Sequence, residues 1–137
     1  MKAITTLIKN STGTASVEFA LFMPLFLFML FGIIELGGAW YQKQILIHAS
    51  RDAARFSCVN DDSTVAQVEE YTRTILSSAG FPYVNEVSVV VEGAGGNTGD
   101  PVTVTVSTPY AFPVLGKIVS GFASSINLEA TTVMRHE

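Results

Sequence analysis

Hydrophobic and polar positions divide the chain into one long apolar block followed by stretches of two different periods. Residues 19–34 are sixteen consecutive positions without a charge, and the apolar character continues through Leu36, Ala39, Trp40 and Tyr41, interrupted only by Glu35. Counted over 19–41, the block has 23 residues. As a helix it would be about 34 Å long at about 1.5 Å per residue, enough for a hydrocarbon layer of about 30 Å. Residues 42–56 contain neither Pro nor Gly. Ile45, Ala49, Ala53 and Phe56 fall on one helical face there, with Leu46 beside it, so the helix is predicted to continue into water.

Asn60-Asp61-Asp62-Ser63 interrupts that helix and precedes a second one, capped by Thr64-x-x-Gln67 or by the aspartates. Val65, Val68, Thr72, Ile75, Leu76 and Ala79 recur at helical spacing, Glu69, Glu70 and Arg73 form the solvated side, and Gly80 with Pro82 ends the segment. From Tyr83 the period becomes two. Val87, Val89 and Val91 alternate with Ser88, Val90 and Glu92, and Val102, Val104 and Val106 with Thr103, Thr105 and Ser107, which predicts two strands. The glycine-rich stretch 93–101 between them lacks the Lys-Ser/Thr ending and following helix of a phosphate loop, so it reads as a hairpin connection.

Residues 110–122 form an apolar, glycine-punctuated crossover with a short helix near 115–120. Ile126, Leu128, Ala130, Thr132 and Met134 then alternate as a third strand. Residues 60–137 are few for an independent core, so the aqueous half of the long helix is expected to lie on the sheet. The predicted class is α+β: a long N-terminal transmembrane helix continuing into a small head with a second helix and about three antiparallel strands.

Composition narrows the function. With 137 residues, 48% hydrophobic and 15% charged, the chain is too apolar for disorder and short for two full domains. A formal charge of −4 removes the basic footprint of a nucleic-acid partner. Cys58 is the single cysteine, so no intramolecular disulfide forms, and with two scattered histidines it makes no metal-ligand cluster. His48, Asp52 and Arg55 are spaced to pair on a helix surface, and no nucleophile, base and acid occur as a set. Neither an enzyme, a cofactor nor a small-molecule substrate is expected.

The N-terminus carries Lys2 and Lys9, no acid, and Gly13 shortly before the block, a targeting arrangement. Three readings compete: a removed signal peptide, an uncleaved anchor, or a leader cut ahead of the block. The block exceeds a secretory h-region of about 7 to 15 residues and no Ala-x-Ala site follows it, which argues against the first. Lys2 and Lys9 on the near side, with Trp40 and Tyr41 at the far end, place the N-terminus in the cytoplasm, although Lys43, Arg51 and Arg55 count the other way. Pro24 has no N–H for the carbonyl of Ala20 and should kink or loosen the helix. Glu18 places a carboxylate at the membrane edge, where it must snorkel, neutralise or find a cation.

The string Gly13-Thr14-Ala15-Ser16-Val17-Glu18-Phe19 resembles the type IV prepilin processing motif. Val17 to Leu21 with Pro24, the run 31–37, Tyr41 with Gln44, and 49–55 extend the likeness: over about residues 11–58 the chain resembles the TadE subfamily of pseudopilins from the tight-adherence (Flp pilus) system. Residues 130–137 are similar to that family's end, and TadF subunits share the N-terminal pattern, so both types stay open.

The resemblance implies a minor pilin in pilus biogenesis. Its leader, 1–13, would be removed after Gly13 by a membrane prepilin peptidase, making Thr14 the new N-terminus and shifting the net charge from −4 to −6. Glu18, followed by Phe19, would pair with an N-terminal amine, a desolvated contact that sets register more than it stabilises. Residues 14–41 would be the transmembrane helix and 42–137 a periplasmic head without the paired cysteines of many pilins. The protein would be single-pass in the bacterial inner membrane, with its N-terminus cytoplasmic, in or beside the pilus. Implied partners are the peptidase, the major Flp pilin, TadF-like pseudopilins and the inner-membrane assembly platform. The alternative is an uncleaved single-pass membrane protein whose periplasmic head scaffolds a secretion system.

Overall fold

A computed structural model describes residues 11–60, 62–118 and 125–137. Lys2, Lys9, Asp61 and the end of the crossover at 119–124 lie outside the described residues. Helix α1 (Ser11–Val59) runs 49 residues with Pro24 inside it, and it is long and apolar enough to cross a membrane. It stops where Asn60 turns back on it: the Phe56 carbonyl accepts both the Asn60 backbone N–H at 3.2 Å and the Asn60 side-chain amide at 2.8 Å, so the side chain adds a second donor at the helix end.

Thr64, not an aspartate, caps α2 (Val65–Ser78). Its hydroxyl accepts from the Gln67 N–H at 3.4 Å while Gln67 Oε1 accepts from the Thr64 N–H at 2.9 Å, a reciprocal capping box. Val68, Thr72 and Leu76 are the buried positions of α2. Val65 and Ala79, predicted on that face, are exposed because they sit at the first turn and the C-cap, beyond the reach of the sheet.

Three antiparallel strands follow, β1 (Ser88–Glu92), β2 (Pro101–Ala111) and β3 (Ser125–Arg135), in the order β1-β2-β3. Val91 faces Val104 and Val104 faces Thr132 across the ladders, so one sheet face carries the predicted valines. Val102, Val104 and Val106 are fully buried, each worth about 1.5–3 kcal/mol relative to exposure. The first two strands close through glycines with positive φ: at Gly93 (φ 81°) a Cβ would come within 2.2 Å of the Pro101 carbonyl oxygen, so only glycine fits. His136 is buried against this connection, with Nε2 3.2 Å from the Gly96 amide nitrogen and its own carbonyl accepting from the Gly99 N–H at 2.9 Å.

The lower half of α1 closes the core, with α2 beside it. Leu46, Ala49, Ala53, Ala54 and Cys58 pack with Val68, Leu76, the strand valines, Leu128 and Ala130. The buried stripe is rotated from the predicted one: Ile45 and Phe56 are only half-buried, whereas Leu46, Ser50 and Ser57 are fully enclosed. Small residues let the helix backbone approach the sheet, and the bulky Phe56 is displaced to its margin, stacked on Tyr71 with ring centroids 4.4 Å apart. Ser50 meets Thr132 at 2.8 Å between hydroxyl oxygens, which satisfies both at the contact. Lys43 donates its ammonium to the Glu129 carbonyl, tying α1 to β3.

Two outcomes follow from this packing. Ala53→Leu should overpack the helix–sheet contact and lower unfolding stability by about 1–3 kcal/mol in denaturant titrations followed by circular dichroism. Burial, and secondarily the charge of Glu137, pushes the Cys58 thiol above its ordinary value; maleimide labelling at pH 8 should be slow in the native protein and fast after unfolding.

Candidate assembly surface and membrane junction

The residues singled out by sequence lie along the first turns of α1 and away from the head. Gly13 is exposed, with open space where a Cβ would stand. Thr14 and Glu18 are exposed and four residues apart, hence on one helical face. Phe19 is 66% exposed and begins a belt that includes Leu21 at 78%, Phe26 at 61%, Met29 at 60% and Ile33 at 68%. Pro24, also singled out by sequence, meets another element. With Leu27, Phe28 and Phe31 it lines an apolar cleft of about 300 Å³ closed by Leu115 of the crossover.

Beyond this cleft α1 is hydrogen-bonded to the crossover through a residue that in the sequence only interrupts the apolar block. Glu35 is 5% exposed. Its Oε1 accepts from the Val114 N–H and, at 3.3 Å, from the Leu115 N–H; Oε2 lies 3.2 Å from the same Leu115 nitrogen. Both amides open α3 (Leu115–Ile118), whose first N–H groups have no acceptor inside the helix. A carboxylate supplied by α1 thus meets amides supplied by the crossover.

The junction has a second tie. The Tyr110 hydroxyl donates to the Glu35 carbonyl at 3.1 Å, and its ring meets Phe112 edge to face at 5.3 Å. Gly38 makes room for it, since a Cβ there would lie 2.9 Å from the Tyr110 oxygen. Hydrogen-bonded packing of α1 on the head therefore starts at Glu35, with Gly38 and Ala39 after it, ahead of Tyr41, where sequence placed the end of the membrane helix. The reason is positional: Glu35 is 75 to 80 residues from its partners, and only an acid inside an apolar run, with its need for donors, hinted at it. His48, Asp52 and Arg55 are exposed. Among the described residues, no three His, Cys, Asp or Glu side chains gather as metal ligands.

Glu35→Ala should leave the Val114 and Leu115 amides without their acceptor, at about 1–3 kcal/mol for each buried group. Hydrogen exchange at those two amides should accelerate, and Glu35→Gln, which keeps one acceptor oxygen, should be intermediate. Burial, then the Glu35 charge, pushes the Tyr110 hydroxyl above its ordinary value of 10.0. A raised folded value gives a contribution that is complete below the unfolded value and is lost as pH rises through the folded one. Melting curves above about pH 10 should accordingly fall less steeply for Tyr110→Phe than for the parent.

The family model for TadE-like proteins matches residues 13–55, from Gly13 through the apolar belt to the part of α1 that lies on the sheet. No curated protein and no solved structure matches the chain. Over residues 13–55, all within its N-terminal helix, the chain is similar to TadE-like proteins.

Proposed function

We propose that this protein is a minor pilin, or pseudopilin, that acts in Flp pilus biogenesis after a prepilin peptidase cuts its leader behind Gly13. The observation that carries the reading is the coincidence of the TadE-like match, 13–55, with a helix whose apolar side chains between 19 and 34 remain exposed while its continuation builds the head. A helix of this kind can be held in lipid and later exchange lipid for neighbouring helices. Both environments accept an apolar belt, and the exchange leaves the folded head unchanged.

The proposed roles follow from backbone and charge. The bond between Gly13 and Thr14 lies within helical backbone, which a peptidase must unwind. Glycine weakens a helix by about 1 kcal/mol relative to alanine, and it presents an unobstructed backbone. Thr14 would provide the new amine and Glu18 the carboxylate that pairs with it in a neighbouring subunit, fixing the axial offset between helices. The peptidase, the major pilin, TadF-like pseudopilins and the assembly platform as partners, and the inner membrane as the site, belong to this same reading.

Intact mass after coexpression with a prepilin peptidase should correspond to a chain beginning at Thr14, and Gly13→Arg should retain Met1. An uncut parent chain would instead favour the uncleaved, head-only scaffold. Glu18→Ala should be processed as the parent is, yet give at least about tenfold less assembled pilus, the equivalent of about 1.4 kcal/mol. Parental assembly by that variant would remove the ion pair from the mechanism.

A further inference from the structure

The head's crossover runs beside the part of α1 that the bilayer must contain. Leu115, 8% exposed, closes a cleft against Pro24, Leu27, Phe28 and Phe31. Measured from Glu18 along the helix, these residues lie about 9 to 20 Å into the span, and Glu35 about 26 Å, against a hydrocarbon thickness of about 30 Å. Sliding the helix outward does not resolve the overlap. A boundary below Pro24 would require a span of about 20 residues reaching back past Lys9 and Asn10. If the chain is cut after Gly13, only ten residues precede Pro24.

The geometry points to an interaction surface in the crossover: residues 112–118 form a wedge that enters the outer leaflet beside α1, so that lipid is met by two elements of this chain. The inference rests on α1 spanning the membrane. The wedge carries Phe112, Pro113, Val114, Leu115 and Gly116 in succession, uncharged until Lys117. Lys117 is exposed and can extend its ammonium toward the headgroups.

The Glu35 contact explains how polar backbone enters this layer. Side chains of a helix lean toward its N-terminus, so the Glu35 carboxylate points into the membrane from just inside its outer boundary. Its oxygens take the Val114 and Leu115 N–H groups, the donors that lipid could not satisfy. The buried acid and the wedge thus remove each other's cost. Exposure on the helix agrees: Leu27 and Phe31 are 37% exposed, whereas Leu25 and Phe26 on the other side are 58% and 61%.

Lipid-borne quenching tests the wedge in the full chain. In a Cys58→Ser background, single cysteines at Gly116, at Phe26 and at Val133, which is 61% exposed on the sheet, are labelled with an environment-sensitive fluorophore. The proteins are reconstituted in phosphatidylcholine vesicles containing nitroxide-labelled lipid. The Gly116 label should be quenched at least half as strongly as the Phe26 label and at least twofold more than the Val133 label. Quenching at Phe26 with Gly116 no more quenched than Val133 would overturn the wedge and leave the membrane helix standing. Absence of quenching at all three would overturn both. Adding Glu35→Ala should lower quenching at Gly116 toward the Val133 value without changing Phe26; unchanged quenching at Gly116 would overturn the part assigned to Glu35.

Discussion

A three-stranded sheet with one apolar face cannot stand in water without a second layer, and here α1 supplies it. The residues that make this close approach workable are small: Ala49, Ser50, Ala53, Ala54 and Ser57 lie almost or fully buried where helix and strands meet. A helix studded with large side chains would stand farther from Val102, Val104 and Val106 and leave voids along the layer. Because the same helix also carries the exposed apolar belt, the position of the head relative to that belt is fixed by helix–sheet packing, without a flexible linker between them.

Rigid attachment makes the junction at Glu35 consequential. Had the helix entered the head through a linker, Glu35 would face water or headgroups and need no special partners. Instead residues 112–118, which follow β2, lie beside α1, and their amides and the Tyr110 hydroxyl converge on that one residue. A buried carboxylate is tolerable only with donors directed at it, and helix-opening amides are good donors because they have no internal acceptors. Gly38 completes the fit by leaving space for the tyrosine.

The assembly residues follow the opposite logic. Gly13, Thr14, Glu18 and Phe19 build no part of the head and are exposed on α1. The roles proposed for them depend on other molecules: a peptidase for the first two, a neighbouring subunit for Glu18. Exposed apolar side chains on this scale are unstable in water and suited to lipid or to other helices, so the fold divides the chain into a part that satisfies itself and a part that must be satisfied from outside.

Much of the architecture was legible in the sequence because it depends on short-range regularities. The capping box at Thr64 and Gln67, the alternating valines of β1 and β2, the glycine-rich hairpin and the unbroken apolar run each carry their signal within a few residues. The TadE-like string was legible for the same reason, being confined to one helix. Other features were legible only in part. Periodicity located a buried stripe on the aqueous half of α1 but misjudged its centre, since Phe56 looks apolar enough for the core and only the closeness of the sheet pushes it to the margin against Tyr71. The buried role of His136, which joins the end of β3 to the hairpin at Gly96 and Gly99, had no local signal. Nor did the partners of Glu35, which sit in a crossover 75 to 80 residues away. By itself the sequence determined the elements, their order and the long apolar block, because hydrophobic period and capping act over single turns and strands. Tertiary structure alone decided where the head grips the helix, because that required two distant segments, one offering a carboxylate and the other its unpaired amides, to be brought to the same depth.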